Sequence, residues 1–529
     1  MRRSAVVALL VLAGRVHGGA DFRITPDATL LAGRERYVSS PPAAPPRRLN
    51  VVLIVADDLG RHDTTLYGEP GMVKTPSLER LAKEGVAFTQ GYVTAPICSP
   101  SRAGLLTGRY QQRFGHEGQP HERYARNGLE YFVFKNFIAT GDWVLKRAVS
   151  PDDEDIARQG LPKSEVTLAK VLKRHGYATG MFGKWHLGWS PDFEPHHRGF
   201  DEAYGHYEAY SLYFRDRDSP AVVNHRHEDF SDRFIWGKGR DGTAALRRNG
   251  VVVDEPGDTT DRFTDEAIAF IEKHKAEPFF VYLPLQNPHT PFQAKRALYE
   301  RFADEPDENR RVYKALIASL DESVGRVLDA LDARGLSDDT LVLFISDNGG
   351  AEYTLAADNA PLNGGKLTMF EGGIKVPFAL RWPGQAPAGA RFEAPVSTLD
   401  IMATVAAAVG AQLPDDRPYD GVDLLPFVLR GEATGAPHDE LFWRAEYAHA
   451  VRKGDWKLVE SVDVGQVALF DLAKDPGETR DLSRAHPDVV QALQADFAKW
   501  ETQCRPPLWP HVMEYRFRTA DGREFWYPL

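Results

Sequence analysis

An almost unbroken apolar run spans Leu49 to Ala56, interrupted only by Asn50. A β-branched run of this length predicts a strand buried on both faces, as in a parallel central sheet. Ala178–Phe182, Pro278–Leu285 and Thr340–Ile345 have the same character. Between these runs the apolar positions take the spacing of helices. Ser164–Arg174 places Val166, Leu168, Val171 and Leu172 together, with Ser164 as cap and Gly176 as stop. Asp261–Lys275 predicts a second helix. Arg310–Arg334 predicts a long one, with Leu316, Leu320, Val324, Val327, Leu328 and Leu331 on one stripe and Gly335 at its end. Strands alternating with helices predict an α/β fold: a large, mostly parallel mixed sheet sandwiched by helices.

The pattern changes after about residue 430. ELFWRAE, HAVRKGDWKLVES and QVALFDL read as short strands joined by turns, followed by a helix near Asp488–Thr502. We expect a smaller C-terminal α+β subdomain over 431–529, a short antiparallel sheet plus a helix, beside a catalytic α/β domain over 49–430. The aromatic tail (Trp509, Tyr515, Phe517, Phe525, Trp526, Tyr527) is expected to pack, since so much exposed aromatic surface would invite association.

The N-terminus differs again. Arg2 and Arg3 precede an apolar run from Ala5 to Ala13, then Gly18, Gly19 and Ala20, the outline of a signal peptide over 1–20. The run falls short of the roughly 20 apolar residues needed to span a bilayer, so no membrane span is expected. Residues 21–48 end in the Pro-rich PPAAPPRR and read as an extended leader. The expected location is periplasmic or secreted.

Charge narrows the partners. Removing residues 1–20, with three arginines and no acid, takes the net charge from -11 to about -14. Nucleic acid is therefore not an expected partner, and an anionic ligand would need a locally basic pocket. Two cysteines in 529 residues cannot build a disulfide framework.

Candidate chemistry gathers where the predicted strands end. Asp57 and Asp58 follow the first, Lys184 and His186 the second, His289 the third, Asp347 and Asn348 the fourth. In open α/β sheets, ligands bind beyond the carboxyl ends of the strands, so four such ends predict one site. Asp57, Asp58, Asp347 and Asn348 form an oxygen-rich set suited to Ca²⁺, and less to Mg²⁺, because hard cations prefer oxygen. Three converging carboxylates would repel one another without a divalent cation. Lys184, His186, His289, Arg102 and Lys366 supply the basic surroundings that an anion needs.

The stretch CSPSRAGLLTGR (98–109) resembles the signature of type I sulfatases, in the alkaline phosphatase-like superfamily. The resemblance extends to VADDLG (55–60), GKWHLG (183–188), NPHTP (287–291), SDNGG (346–350), GGK (364–366) and LFDLAKDPGETRDL (469–482). It implies that a separate formylglycine-generating or sulfatase-maturating enzyme oxidises Cys98 to 3-oxoalanine, that is, Cα-formylglycine. It further implies that Asp57, Asp58, Asp347, Asn348 and modified Cys98 bind Ca²⁺. Arg102 would orient the formylglycine, Lys184 and Lys366 grip sulfate, His186 act on the aldehyde hydrate, and His289 face the leaving oxygen.

The implied activity is hydrolysis of a sulfuric ester, with a sulfated carbohydrate as the expected substrate. Two long stretches, between Gln111 and Lys163 and between Tyr204 and Thr260, carry aromatic and basic residues suited to a substrate pocket: His116, His121, Arg123, Tyr131, Trp143, Tyr207, Tyr210, Tyr213, His225 and Trp236. Three alternatives stay open: a broad arylsulfatase, a phosphonate monoester or phosphodiester hydrolase, and a non-catalytic binder of sulfated glycans. The sugar, the sulfated carbon, oligomeric state and the role of Cys504 are not legible.

Overall fold

The structure, a computed structural model, describes residues 24–40, 48–120, 128–138, 141–145, 152–226, 235–429 and 435–529. The central sheet has ten strands. They are β1 (Asn50–Asp57), β2 (Val86–Phe88), β3 (Ala178–Lys184), β4 (Glu202–His206), β5 (Arg247–Arg248), β6 (Val251–Val252), β7 (Phe279–Pro288), β8 (Thr340–Ser346), β9 (Phe378–Arg381) and β10 (Ala390–Phe392). Across the sheet they run β10-β2-β9-β8-β1-β7-β3-β4-β5-β6. The neighbours β8, β1, β7, β3 and β4 are all parallel. Antiparallel β9 and β5 flank them.

All eight residues of β1 are buried. Side chains alternate across a strand. Val51, Leu53 and Val55 thus enter one core with Leu105, Leu106, Leu168 and Val171. Val52, Ile54 and Ala56 enter the other, with Phe263, Phe270, Leu316, Leu320 and Leu328. Helix Cys98–Thr107 covers the first face, and helices Thr259–His274 and Glu308–Ala333 cover the second.

The helix expected from Ser164 begins instead at Leu168. Pro162–Glu165 closes a turn through the Glu165 N–H, and Thr167 is the cap, accepting from the Lys170 N–H at 3.2 Å. The leader is not extended throughout, because Ala28–Ser39 is a helix capped by Asp27. Its Tyr37 hydroxyl donates to the Gln412 carbonyl at 2.6 Å, and the Arg174 guanidinium sits over its ring. Docking of this kind is a tertiary effect that local composition does not encode. The expected signal peptide and the 430/431 boundary lie outside the described residues.

The C-terminal strands Glu440–Ala445, Ala448–Lys453, Trp456–Ser461 and Gln466–Asp471 form an antiparallel meander, accompanied by helix Pro487–Glu501. The aromatic tail folds as the hairpin Met513–Arg518/Glu524–Pro528, which pairs with Trp143–Leu145. Phe370 receives the rings of Phe517 and Phe525. The tail is thus covered, as expected.

Candidate active site

Parallel pairing places the carboxyl ends of β8, β1, β7 and β3 side by side, which brings the predicted residues to one edge. Asp57 ends β1 and Lys184 ends β3, while Asp347 and Asn348 follow β8 directly. Asp58 and His186 have φ of 64° and 56°. Non-glycine residues rarely adopt this region, and such backbone clusters at functional sites. The Asp58 carbonyl accepts from the Tyr313 hydroxyl at 3.0 Å, and the Leu59 N–H donates to Ser346 Oγ at 3.0 Å. Both bonds brace the turn.

Cys98 and Arg102 arrive on helix Cys98–Thr107, which is buried at every position. Cys98 opens its first turn, where the peptide dipoles present their positive end. Its Sγ lies 3.4 Å from Asp57 Oδ1 and 4.0 Å from Asp58 Oδ1. Asp57, Asp58, Cys98 and His289 offer ligand atoms all within 4.8 Å of one another, a possible metal site. His289, read from sequence only as a catalytic group, thus joins the metal-competent cluster.

Each carboxylate already has a basic partner. Lys184 Nζ lies 2.6 Å from Asp57 Oδ2, Lys366 Nζ 2.8 Å from Asp58 Oδ1, and Arg102 Nη2 2.7 Å from Asp347 Oδ2. These bases offset the mutual repulsion of the acids. Three acids against three bases make a neutral cluster, and a divalent cation would bring it to a net +2, suited to an anionic ester. The donor chemistry fits a hard cation. Asn348 Oδ1 is buried without a hydrogen-bond partner among the described residues, while its Nδ2 bonds Asp58 Oδ1 at 2.8 Å.

Protonation follows from these contacts. Burial would raise Asp57 and Asp58, but Lys184 and Lys366 respectively, helped by His289, hold both below the usual carboxylate value. Burial, reinforced by Asp57, pushes Asp347 up. Burial, then Lys366, lowers His289, which favours its neutral ring. His289 Nδ1 lies 2.6 Å from the Thr290 carbonyl. A carbonyl only accepts, so Nδ1 carries the proton and Nε2 is left for proton exchange. Nε2 sits 3.6 Å from Asp58 Oδ2. Burial raises the Cys98 thiol far above its ordinary range, so it is no ready thiolate nucleophile.

His186 is buried two residues past Lys184 and stands outside the four-ligand group. Two supporting residues escaped the sequence reading, and a third, Tyr213, was read only as a pocket residue. Tyr213 donates to the carbonyls of Gln286 and His289, both at 2.9 Å. Tyr313 braces Asp58, and His206 is the register partner of Lys184. None sits in a motif. Only His206, ending β4 beside β3, was findable by the strand-end argument. Tyr213→Phe is expected to lower stability by about 1–3 kcal/mol, because two buried carbonyls lose their donor. It should also slow turnover several-fold, checked by thermal unfolding beside steady-state kinetics.

The long stretches do not simply line a pocket. His116, Tyr207, Tyr213 and Trp236 are buried packing residues. Trp143 packs on Tyr353 and Tyr515. His121 and Arg123 lie outside the described residues. Cys98 and Cys504 are both free thiols.

The sulfatase family model matches residues 49–411, and the C-terminal model of N-sulphoglucosamine sulphohydrolase matches 365–503. The chain is 32% identical to mouse (Mus musculus) steryl-sulfatase, over 88% of this chain and 84% of that protein. It is 31% identical to N-acetylgalactosamine-6-sulfatase of the pig (Sus scrofa), over 85% and 84%. Among solved structures, Ps i-CgsB superposes with a TM-score of 0.72 at 32% identity, over 88% of this chain and 95% of that one. A phosphonate monoester hydrolase of Agrobacterium radiobacter, 21% identical with a TM-score of 0.57 over 90% and 99%, shares the fold. With the motifs gathered at one edge of an alkaline phosphatase-like sheet and the family match spanning the catalytic region, the chain belongs to the sulfatase family and is a sulfuric ester hydrolase.

Proposed function

We propose that this enzyme removes sulfate from a sulfated carbohydrate, with Cys98 converted to formylglycine and Ca²⁺ held by Asp57, Asp58, Asp347, Asn348 and the modified residue. The observation that carries this reading is the convergence of Cys98, three carboxylates, Asn348, Arg102, Lys184, Lys366 and His289 in one buried cluster. Bound there, Ca²⁺ supplies Lewis-acid polarisation of a sulfuryl oxygen. Formylglycine supplies, through its hydrate, one hydroxyl to attack sulfur and a second whose deprotonation later expels sulfate.

The chain's own residues do the rest. Lys184 and Lys366 are fixed cations that take up charge on the sulfuryl oxygens, and fixed charge in a dry site is worth more than in water. Arg102, held by Asp347 and by the Lys184 carbonyl at 2.9 Å, orients residue 98. His289 Nε2 serves the leaving oxygen, and His186 the hydrate. Cys98 is 1% exposed, so its oxidation by the maturating enzyme must precede closure of the fold. The N-terminal segment supports a periplasmic or secreted location. No helix among the described residues is long and apolar enough to cross a membrane.

Similarity to N-acetylgalactosamine-6-sulfatase and to Ps i-CgsB, whose solved complex holds k-i-k-neocarrahexaose, supports the carbohydrate. Similarity to steryl-sulfatase favours a second reading, an apolar sulfate ester. Parallel assays on sulfated galactose-containing oligosaccharides, an aryl sulfate, a steroid sulfate and a phosphodiester decide. We expect kcat/KM at least about 100-fold higher for a sulfated sugar, roughly 2.7 kcal/mol of discrimination. Preference for the aryl or steroid ester would overturn the carbohydrate reading.

Chelation is expected to lower activity at least about 100-fold, since Lewis-acid stabilisation contributes several kcal/mol. Ca²⁺ should restore it better than Mg²⁺. Full activity in excess chelator, with the protein analysed metal-free, would rule the cation out.

A further inference from the structure

A second group of metal-competent side chains lies away from the catalytic edge. Glu194, His196 and His197 offer one ligand atom each, all within 4.8 Å of one another. His196 and His197 sit on a short turn, Pro195–Arg198, which Glu194 directly precedes, in the segment joining β3 to β4. The turn is held from both sides. Pro195 presets its first residue. Arg198, 1% exposed, ties its end to the carbonyls of Leu161 and Pro162, both at 3.0 Å.

Glu194 and His196 are otherwise poorly satisfied. Glu194 is 8% exposed, yet no lysine or arginine among the described residues forms an ion pair with it. His196 Nε2 lies 3.5 Å from its Oε2, and Arg247 and His197 act on it through space. His196 Nδ1 is buried without a hydrogen-bond partner among the described residues. The His196 and His197 rings face each other at 4.1 Å. Gly250 packs over the cluster, where a side chain would meet Glu194 Oε2 at 2.7 Å and His196 Cε1 at 3.2 Å. The pocket is therefore closed on that side.

We infer that Glu194, His196 and His197 form a second metal site, which takes a borderline divalent ion of the Zn²⁺ type. Two imidazoles and one carboxylate are a zinc ligand set, and three protein ligands leave a fourth position for water. Imidazole donors select against Ca²⁺, so this site and the catalytic oxygen cluster sort different ions. An ion here would tie Glu194 to the Pro195–Arg198 turn within the segment between Lys184 and His206. Its role is to stiffen this turn.

The test uses the full-length enzyme, stripped by chelator and reloaded with excess Ca²⁺. Zn²⁺ is titrated calorimetrically, and Co²⁺ is followed by its visible absorption. Wild type should bind one more Zn²⁺ per chain than His196→Ala/His197→Ala, and the variant should lack the Co²⁺ bands while still hydrolysing a sulfate ester. Glu194→Gln should weaken Zn²⁺ at least about 10-fold, the loss that even an outer-shell partner causes. His197 is exposed, so His197→Ala alone tests the site without threatening the fold. Equal Zn²⁺ stoichiometry in wild type and the variants, including none in any of them, overturns the inference.

Discussion

Cys98→Ser is expected to abolish multiple turnover, cutting kcat at least about 10³-fold while leaving the fold intact. Loss of a nucleophile in other hydrolases costs up to about 10⁶. Serine and cysteine differ by one atom, and the site is buried but polar, so packing is scarcely disturbed. A serine hydroxyl could attack sulfur once. It lacks the second hydroxyl that would expel sulfate, so the enzyme would stall as a sulfated ester. Mass spectrometry of the 98-containing peptide checks both states. Wild type from a host with the maturating enzyme should carry the aldehyde, and the variant should carry serine or its sulfate ester. Wild-type turnover by Cys98→Ser, or a fully unmodified thiol in active enzyme, would refute the formylglycine mechanism.

Lys457→Met is expected to destabilise the protein by about 3–5 kcal/mol, the cost of leaving buried carboxylates without their counter-ion. Lys457 Nζ lies 2.9 Å from Glu371 Oε1 and 2.8 Å from Glu478 Oε1, and all three side chains are at most 1% exposed. The Tyr92 hydroxyl donates to Glu371 at 2.7 Å. This cluster ties the C-terminal meander to the segment after Lys366, so activity should fall as well.

The pH dependence has a definite sign. Burial would raise Glu371, but Lys457, with Lys375 and Arg452, overrides it and holds the carboxyl at about 2. Burial, opposed by Lys457 and reinforced by Glu371, pushes Glu478 up to about 7. Glu371 therefore stabilises the fold above its ordinary value of 4.5, and that contribution is lost as pH falls toward 2. Glu478 holds its proton longer when folded, so stability falls as pH rises from 4.5 to about 7. Without the ammonium, both carboxyls tend to keep protons. The gap between Lys457→Met and wild type should be widest near neutrality and narrow in acid. Urea unfolding at several pH values measures it, and a gap that widens in acid would contradict the charge argument.

Much of the site was legible in one dimension. Burial on both faces makes a parallel strand readable as an apolar run, as at Leu49–Ala56. Parallel strands share a direction, so the residues just past the end of each run must meet at one edge. Asp57, Lys184, His289 and Asp347 were placed together on that ground alone. The resemblance carried by CSPSRAGLLTGR and GGK added Cys98 and gave roles to Arg102 and Lys366, which no periodicity would have joined to them. Tyr313 and Lys457 stayed hidden, and Tyr213 was read only as a pocket residue. Their function lies in contacts to residues far off in sequence, and a tyrosine that braces a carbonyl looks like any core tyrosine.

The sequence by itself determined the chemistry on offer: which side chains can bind a cation, grip an anion or be oxidised, and which runs must be buried. Tertiary structure alone decided how these groups pair. It set each carboxylate of the candidate site against a basic side chain, 2.6–2.8 Å apart. It turned His116 and Tyr207 inward as packing, and it made a helix of Ala28–Ser39 where extended chain was expected. Hydrophobic periodicity reports burial and spacing along the chain. Ion pairs, bracing hydrogen bonds and metal-competent clusters depend on distances across the fold.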